Sequence, residues 1–245
     1  MDFGLFETIR AEQGKIIYFA EHINRLLDSA RRLNFPCAYS ADRLKNLVSQ
    51  AVKRSSAKDA YVKLILWNTP DGKAVSVITK SYHPPSQKKY AAGFKAVVSP
   101  YHQTDPLLAG LKTTSRFLYQ LSLEYARKMN SDEAIILNPR GNITEGSKSN
   151  LFFVYKNEIF TPSLECGCLA GITRRAVFDL AKKNHLRTRE GKFTLNDLYN
   201  AEEAFLTNSL MGIMPLTFIA KKRIGRGKCG KITKLFSKKY HSLLK

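Results

Sequence analysis

The sequence predicts a fold of the α+β class, and three observations lead to this prediction. The chain of 245 residues combines amphipathic helical patterns with short runs of β-branched and aromatic residues. These patterns lack the regular strand–helix alternation of a doubly wound parallel sheet. The composition, 44% hydrophobic and 24% charged, excludes a disordered or low-complexity chain. We therefore expect one compact unit or two small domains that share an interface.

The first 80 residues are predicted to form two helices followed by an antiparallel pair of strands. Residues 21–34 place apolar side chains on one helical face, and a second helix begins after the N-cap residue Ser40. Residues 61–67 and 74–80 have the composition of strands. The turn residues of segment 68–72, which includes Pro70 and Asp71, predict a hairpin between them.

The second half of the chain is predicted to start with a helix over residues 114–129. A strand over 94–98 and a loop over 99–106 precede it, so we place a boundary between domains 1–103 and 104–245. The remaining predicted elements are strands over 134–137, 151–155, 158–160 and 204–207, a helix over 173–184, and a helix in the tail. The tail helix should bury Ile232, Leu235, Phe236, Leu243 and Leu244.

The charge of the chain is strongly positive, with a formal net charge of +20. Residues 221–245 contribute ten basic residues and no acidic one, so half of the excess lies in the tail. Neither an RNA-binding aromatic motif nor a zinc-finger spacing accompanies this charge. We therefore expect a surface that attracts small anionic ligands, and no specific binding of nucleic acid.

The sequence predicts a cytoplasmic protein that does not enter the membrane. It contains neither an apolar run long enough to span a bilayer nor a basic-then-apolar N-terminus typical of secretion. Four cysteines without a C-x-x-C pair predict no disulfide framework. The five histidines never occur four residues apart, so we expect no metal site.

Three segments suit an anionic cofactor. Gly171-Ile172-Thr173-Arg174 opens a helix, where backbone N–H groups bind phosphate. Small polar groups follow a strand at residues 206–209, and Glu145 lies beside a predicted apolar strand. Taken singly, each segment is more typical of a structural role, with Glu145 and Lys112 as ordinary surface residues.

Six motifs occur in a fixed order along the chain, and together they resemble the fold-type IV pyridoxal-phosphate enzymes. The motifs are F-E-T-I-R from Phe6, E-H-I-N-R-L from Glu21, L-K-T-T-S-R from Leu111, T-E-G-S-K-S-N-L-F from Thr144, G-I-T-R from Gly171, and T-N-S-L-M-G-I-M-P from Thr207. This family includes branched-chain and D-amino-acid aminotransferases and 4-amino-4-deoxychorismate lyase. The resemblance implies a homodimer that binds its cofactor near the interface.

The resemblance also implies the arrangement of each subunit. It has a small N-terminal α/β domain and a larger C-terminal domain with a β-barrel-like core. Members of the family usually carry a further strand before the position of Phe3, at the edge of the small-domain sheet.

The resemblance also assigns roles to individual residues. Lys112 matches the lysine that forms a Schiff base with pyridoxal 5'-phosphate, and such a lysine must be partly desolvated or lie near other cations. Glu145 matches the carboxylate that pairs with the ring nitrogen, and Arg25 matches the arginine on the phosphate. The further residues expected to bind the cofactor are Gly171, Ile172, Thr173, Asn208 and Ser209.

Two branches of the family differ in the reaction they catalyse. The segments Asp105–Arg116 and Asn208–Pro215 look more like the lyase, which converts 4-amino-4-deoxychorismate to 4-aminobenzoate and pyruvate. Because that substrate carries two carboxylates, Arg10 and Arg116 are the candidates to bind it. The alternative is a branched-chain or D-amino-acid aminotransferase of the same fold. A non-enzymatic basic binding protein would require all six motifs to be coincidental.

Overall fold

The computed structural model describes residues 3–35, 37, 39–69 and 72–244. These residues divide into two compact units. The first comprises the described residues of Met1–Pro84 together with Leu111–Arg116 and Leu244, and the second comprises Pro85–Gly110 and Phe117–Leu243. Each unit combines helices with a sheet, so the α+β class is confirmed. The domain boundary between residues 103 and 104 stays a prediction.

The first unit contains a four-stranded antiparallel sheet with the strand order β2-β1-β3-β4. Its elements are β1 (Phe3–Glu12), β2 (Lys15–Ile16), α1 (Phe19–Arg32), α2 (Ala41–Ser55), β3 (Asp59–Thr69) and β4 (Gly72–Ser81). Apolar side chains of β1 and β3, such as Leu5, Ile9 and Leu64, form a buried cluster with those of α1 and α2. Since alternate residues of a strand point to opposite faces, Phe6 and Lys63 lie on the other face.

Most predictions for this unit are confirmed. Both helices and both hairpin strands are present, and the Ser40 side chain accepts a hydrogen bond from the Arg43 amide at 3.2 Å. The tip of the predicted turn, Pro70 and Asp71, lies outside the described residues.

The central strand β1 was not predicted, because both of its faces are buried and it therefore lacks polar–apolar alternation. Glu7 even occupies a position on the face that packs against the helices.

The second unit contains a nine-stranded mixed sheet. Its strands are β5 (Phe94–His102), β6 (Glu133–Leu137), β7 (Ile143–Gly146), β8 (Asn150–Tyr155), β9 (Glu158–Pro162), β10 (Thr188–Gly191), β11 (Glu203–Asn208), β12 (Gly212–Ile219) and β13 (Lys222–Arg223). The order is β10-β9-β8-β11-β12-β5-β6-β7, with β13 paired to β12. Its helices are α3 (Gln87–Ala92), α4 (Pro106–Ala109), α5 (Phe117–Lys128), α6 (Ile172–Lys183), α7 (Leu195–Tyr199) and α8 (Lys231–Leu244).

The predicted helix over residues 114–129 begins three residues late, at Phe117. The preceding segment 111–116 is not helical and belongs to the first unit, where Thr113 forms an isolated β-bridge with Leu5 of β1. The Phe6 amide donates to the Lys112 carbonyl and the Thr114 amide donates to the Gly4 carbonyl, each at 2.8 Å. These backbone hydrogen bonds compete with a helical turn, and they determine where Lys112 lies.

The tail forms a helix as predicted, but part of its buried face differs. Leu235 and Leu243 are 38% and 47% exposed, whereas Thr233, Phe236 and Tyr240 are buried. The spacing of three and four residues that defines a helical face is satisfied by this second set, which includes the two large aromatic side chains. Across the described residues, every helix is too short or too polar to cross a membrane.

Candidate functional site

Lys112 lies among other cations in the first unit. Its Nζ is 4.8 Å from the centre of the Phe6 ring, and Lys63 Nζ lies at the same distance. The Arg116 guanidinium carbon is 5.7 Å from that ring. The three cationic side chains thus lie around the same ring, and a position near other cations is the setting expected of the Schiff-base lysine.

Arg25 is held by a buried carboxylate on the other face of β1. Arg25 Nε donates to Glu7 Oε1 at 2.8 Å, and Nη2 donates to Glu7 Oε2 at 2.6 Å. His22 Nδ1 lies 2.6 Å from the same Oε2. A guanidinium bound through two nitrogens has a defined orientation, so Glu7 determines the direction in which Arg25 points.

The protonation states of this network follow from its geometry. Burial alone would raise the pKa of Glu7, but the charge of Arg25 and the hydrogen bonds from His22 and Arg25 lower that pKa to about 2. Burial lowers the pKa of His22 from 6.5, against the opposing effect of Glu7, so the ring is neutral at pH 7. Neither Glu7 nor His22 was given a role from the sequence, although both lie within the quoted motifs.

We expect the Glu7 network to make the first unit sensitive to acid. The pKa of Glu7 falls from 4.5 to about 2 on folding, so its ionised form stabilises the folded state by about 3 kcal/mol above pH 4.5. This contribution should disappear as the pH falls from about 4.5 towards 2. In urea unfolding, the free energy of unfolding of the wild type should exceed that of Glu7→Gln, and this difference should shrink over the same pH range.

The fluorescence of Trp67, the single tryptophan and a residue of β3, reports this unfolding. Glu21→Gln, which removes an exposed carboxylate from α1, is the control. A difference in free energy of unfolding that is independent of pH between 6 and 2 would contradict the lowered pKa of Glu7.

Glu145 lies in β7 of the second unit and is only 6% exposed. Tyr119 Oη donates to its Oε1 at 3.0 Å. Asn150 Nδ2 and the Leu169 amide donate to its Oε2 at 3.1 and 3.2 Å. These three donors orient the carboxylate, since they bind both of its oxygens. Burial raises the pKa of the Cys168 thiol to about 12, and the negative charge of Glu145 contributes to this rise.

Asn150 connects Glu145 to the start of helix α6. Its Nδ2 also donates to the Leu169 carbonyl at 2.8 Å. A Cβ atom on Gly171 would lie 2.0 Å from Asn150 Oδ1, so glycine is required at this position. Gly171 also supplies no side chain to cap α6, and its place at the helix start suits the binding of an anion by the first backbone amides.

The side chains of two other residues predicted to bind the phosphate, Thr173 and Asn208, are engaged within the protein. The Thr173 side chain is buried, with its Oγ1 3.3 Å from Tyr240 Oη. Asn208 Oδ1 accepts from the amides of Leu210 and Met211 at 3.0 and 2.9 Å, and its Nδ2 donates to the Lys148 carbonyl at 3.1 Å. The Asn208 side chain therefore shapes the loop after β11, and Ser209 follows it in that loop. Register places this strand end beside Asn150, which pairs with Thr207.

The turn between Glu145 and Asn150 is supported by a second buried carboxylate. Glu133 Oε1 accepts from the Ser147 amide at 2.9 Å and also from the Ser147 hydroxyl, and Oε2 accepts from Ser149 Oγ at 2.7 Å. No residue pattern around Glu133 indicated this role, because its partners lie fourteen and sixteen positions away.

The two arginines predicted to bind substrate differ in their surroundings. Arg116 lies beside Phe6 and Lys112, as described above. Arg10 is buried, pairs with Glu12 at 3.1 Å and lies 5.7 Å from the Tyr82 ring centre. Arg10 is therefore engaged by its own sheet, and its substrate role stays a prediction. The described residues include no group of three or more His, Cys, Asp or Glu side chains able to hold a metal ion.

Comparison with known proteins identifies the family to which the chain belongs. The family model described as amino-transferase class IV matches residues 4–219, and the chain belongs to this family. Its members use pyridoxal 5'-phosphate. The network around Glu145 and the glycine-initiated helix α6 fit the ring nitrogen and the phosphate of that cofactor.

The relatives and solved structures to which the chain is similar include branched-chain aminotransferases. The branched-chain-amino-acid aminotransferase of Pseudomonas aeruginosa is 28% identical, over 98% of this chain and 84% of its own. The Escherichia coli branched-chain amino acid aminotransferase structure superimposes with a TM-score of 0.91 at 26% identity, covering 98% and 85% of the two chains. The branched-chain aminotransferase of the thermophilic archaeon Thermoproteus uzoniensis, solved with norvaline, has a TM-score of 0.89 at 28% identity, with coverages of 99% and 85%.

These names favour the aminotransferase alternative over the lyase that the sequence motifs suggested. The two segments that favoured the lyase, Asp105–Arg116 and Asn208–Pro215, make up a small part of the chain. The similarity to the branched-chain enzymes extends over 98% of it.

Proposed function

We propose that this protein is a pyridoxal-phosphate-dependent aminotransferase that acts on amino acids with branched aliphatic side chains. The observation that carries the proposal is the buried Glu145 carboxylate, oriented by three neutral donors within a class IV aminotransferase fold. A carboxylate beside a ring nitrogen favours the protonated form of that nitrogen, which makes the ring a better acceptor of electrons. The branched-chain substrate is taken from the names of the relatives.

Each proposed residue has one task. When bound, the cofactor supplies an aldehyde and an aromatic ring that accepts electrons from the substrate. Lys112 Nζ would hold the cofactor through its aldehyde, and as a free amine it would move the proton of the substrate α carbon. Glu145 keeps the ring nitrogen protonated. The Arg25 guanidinium and the helix-start amides of Ile172 and Thr173, with Ser209, bind the phosphate.

The substrate carboxylate would be bound by a cationic side chain. Arg116 is the best candidate because of the residues that surround it. It lies with Lys63 and Lys112 around Phe6, on the sheet face opposite α1 and α2. The same cluster supports the second candidate function, the 4-amino-4-deoxychorismate lyase, because that substrate has two carboxylates. We further propose that the protein is a homodimer, which sedimentation equilibrium would test.

One experiment separates the two reactions. The protein, loaded with pyridoxal 5'-phosphate, is incubated with leucine and 2-oxoglutarate, and separately with 4-amino-4-deoxychorismate alone. We expect glutamate from the first mixture and neither pyruvate nor 4-aminobenzoate from the second. Pyruvate and 4-aminobenzoate without amino transfer would replace the proposal by the lyase. A protein that binds no cofactor would contradict both.

We expect Arg25 and the basic tail to act on different ligands. Arg25→Ala should weaken cofactor binding by about 10- to 100-fold, the range for a lost charged hydrogen bond. The matched variant replaces five exposed tail lysines by glutamine: Lys221, Lys228, Lys231, Lys238 and Lys239. It should lower retention on a polyanion column, since that binding depends on counterion release.

The tail variant should leave cofactor occupancy and turnover nearly unchanged, because the phosphate would be bound by fixed groups that salt screens less than surface charges. Equilibrium dialysis of the cofactor and salt-dependent column retention measure the two effects. A loss of turnover in the folded tail variant would instead make the tail part of the site.

A further inference from the structure

Tyr119 belongs to helix α5, and it reaches Glu145 from a different element than the other two donors do. Asn150 and Leu169 both approach Oε2 of Glu145, whereas Tyr119 Oη binds Oε1. The carboxylate is therefore held at both oxygens. Its rotation about the terminal bond would break at least one of these hydrogen bonds.

The direction of the Tyr119 hydrogen bond is determined by a relay of polar groups. The Asp105 amide donates to Gln103 Oε1 at 3.3 Å, which turns Gln103 Nε2 towards Tyr119. Gln103 Nε2 then donates to Tyr119 Oη at 3.1 Å. Since the phenol oxygen accepts from Gln103, its own hydrogen is directed to Glu145.

A relay with this polarity has a chemical consequence. Each donor polarises the next, so the hydrogen bond that reaches the carboxylate is strengthened. Hydrogen bonds donated to a carboxylate stabilise its ionised form over its protonated form. An ionised Glu145 favours a proton on the cofactor's ring nitrogen, whereas a protonated Glu145 would leave that nitrogen neutral and the ring a weaker acceptor of electrons.

We propose that Tyr119 is a positioning residue for this reaction, which keeps Glu145 ionised and correctly oriented so that the ring nitrogen of the cofactor stays protonated. This inference rests on the proposed role of Glu145. Gln103 acts through Tyr119 by determining the direction of the phenol hydrogen.

The test is the ¹⁵N NMR chemical shift of the ring nitrogen in protein loaded with ¹⁵N-labelled pyridoxal 5'-phosphate. This shift distinguishes a protonated from an unprotonated nitrogen without any turnover. Tyr119→Phe removes the hydroxyl and retains the ring, and Tyr125→Phe makes the same change elsewhere on α5, where the side chain packs against an apolar cluster. Glu145→Gln provides the reference for a nitrogen that has lost its ionised partner.

We expect the wild type and Tyr125→Phe to give the protonated shift at pH 7. Tyr119→Phe should move towards the Glu145→Gln value, with turnover about tenfold lower and KM little changed. If Glu145→Gln moves the shift but Tyr119→Phe does not, the inference is overturned and the proposed function stands. If Glu145→Gln leaves the protonated shift in place, the role of Glu145 is wrong and the inference is overturned with it.

Discussion

Lys112→Ala is expected to lower turnover by at least about 1,000-fold, which corresponds to roughly 4 kcal/mol of barrier. Lys112 is proposed both to hold the cofactor and to move the substrate proton, and alanine can do neither. The phosphate-binding residues remain, so the variant should still bind the cofactor without a covalent link. Steady-state amino transfer measures the loss of turnover. The covalent link is tested by reducing the protein with borohydride, denaturing it, and measuring how much cofactor stays attached.

Two other lysines make this prediction specific. Borohydride reduction followed by peptide mapping should label Lys112 and leave Lys63 unlabelled, although both lie 4.8 Å from the Phe6 ring centre. Lys95→Ala is the matched variant, because Lys95 also lies over an aromatic ring, that of Phe218. It should keep near-normal turnover. A label on Lys63 would transfer the catalytic role to that residue.

Glu145→Gln is expected to slow turnover by at least about 100-fold, or about 3 kcal/mol of barrier, while the cofactor still binds. Glutamine fills the same space, and its single carbonyl oxygen can still accept from Asn150 and the Leu169 amide, so the fold should be retained. It carries no charge, however, and therefore cannot favour a protonated ring nitrogen.

Single-turnover kinetics with leucine would measure this effect on the chemical step. Glu165→Gln removes an exposed carboxylate from the same unit and should leave the rate unchanged. Near-normal turnover in Glu145→Gln would show that the carboxylate does not control the ring nitrogen.

Local patterns in the sequence predicted much of the secondary structure. Helices α1, α2, α6 and α8 follow from apolar spacing, and β3 and β4 follow from β-branched runs, because each depends on which face of an element is buried. Three of the strands that were missed, β1, β7 and β12, are buried on both faces and therefore lack the alternation that identifies a strand. The missing alternation matters for the site, since β1 carries Glu7 and β7 carries Glu145.

The sequence by itself determined the family, through six ordered motifs, and with it the candidate residues Lys112, Glu145 and Arg25. It did not determine their partners. Tyr119 lies 26 residues from Glu145 along the chain, and Glu7 lies 18 residues from Arg25. Periodicity reports only which face of one element is buried, so it cannot reveal that two elements bring a phenol or a carboxylate to the same atom. Tertiary packing decides these contacts, and it thereby decides the orientation and ionisation of the groups that are proposed to hold the cofactor.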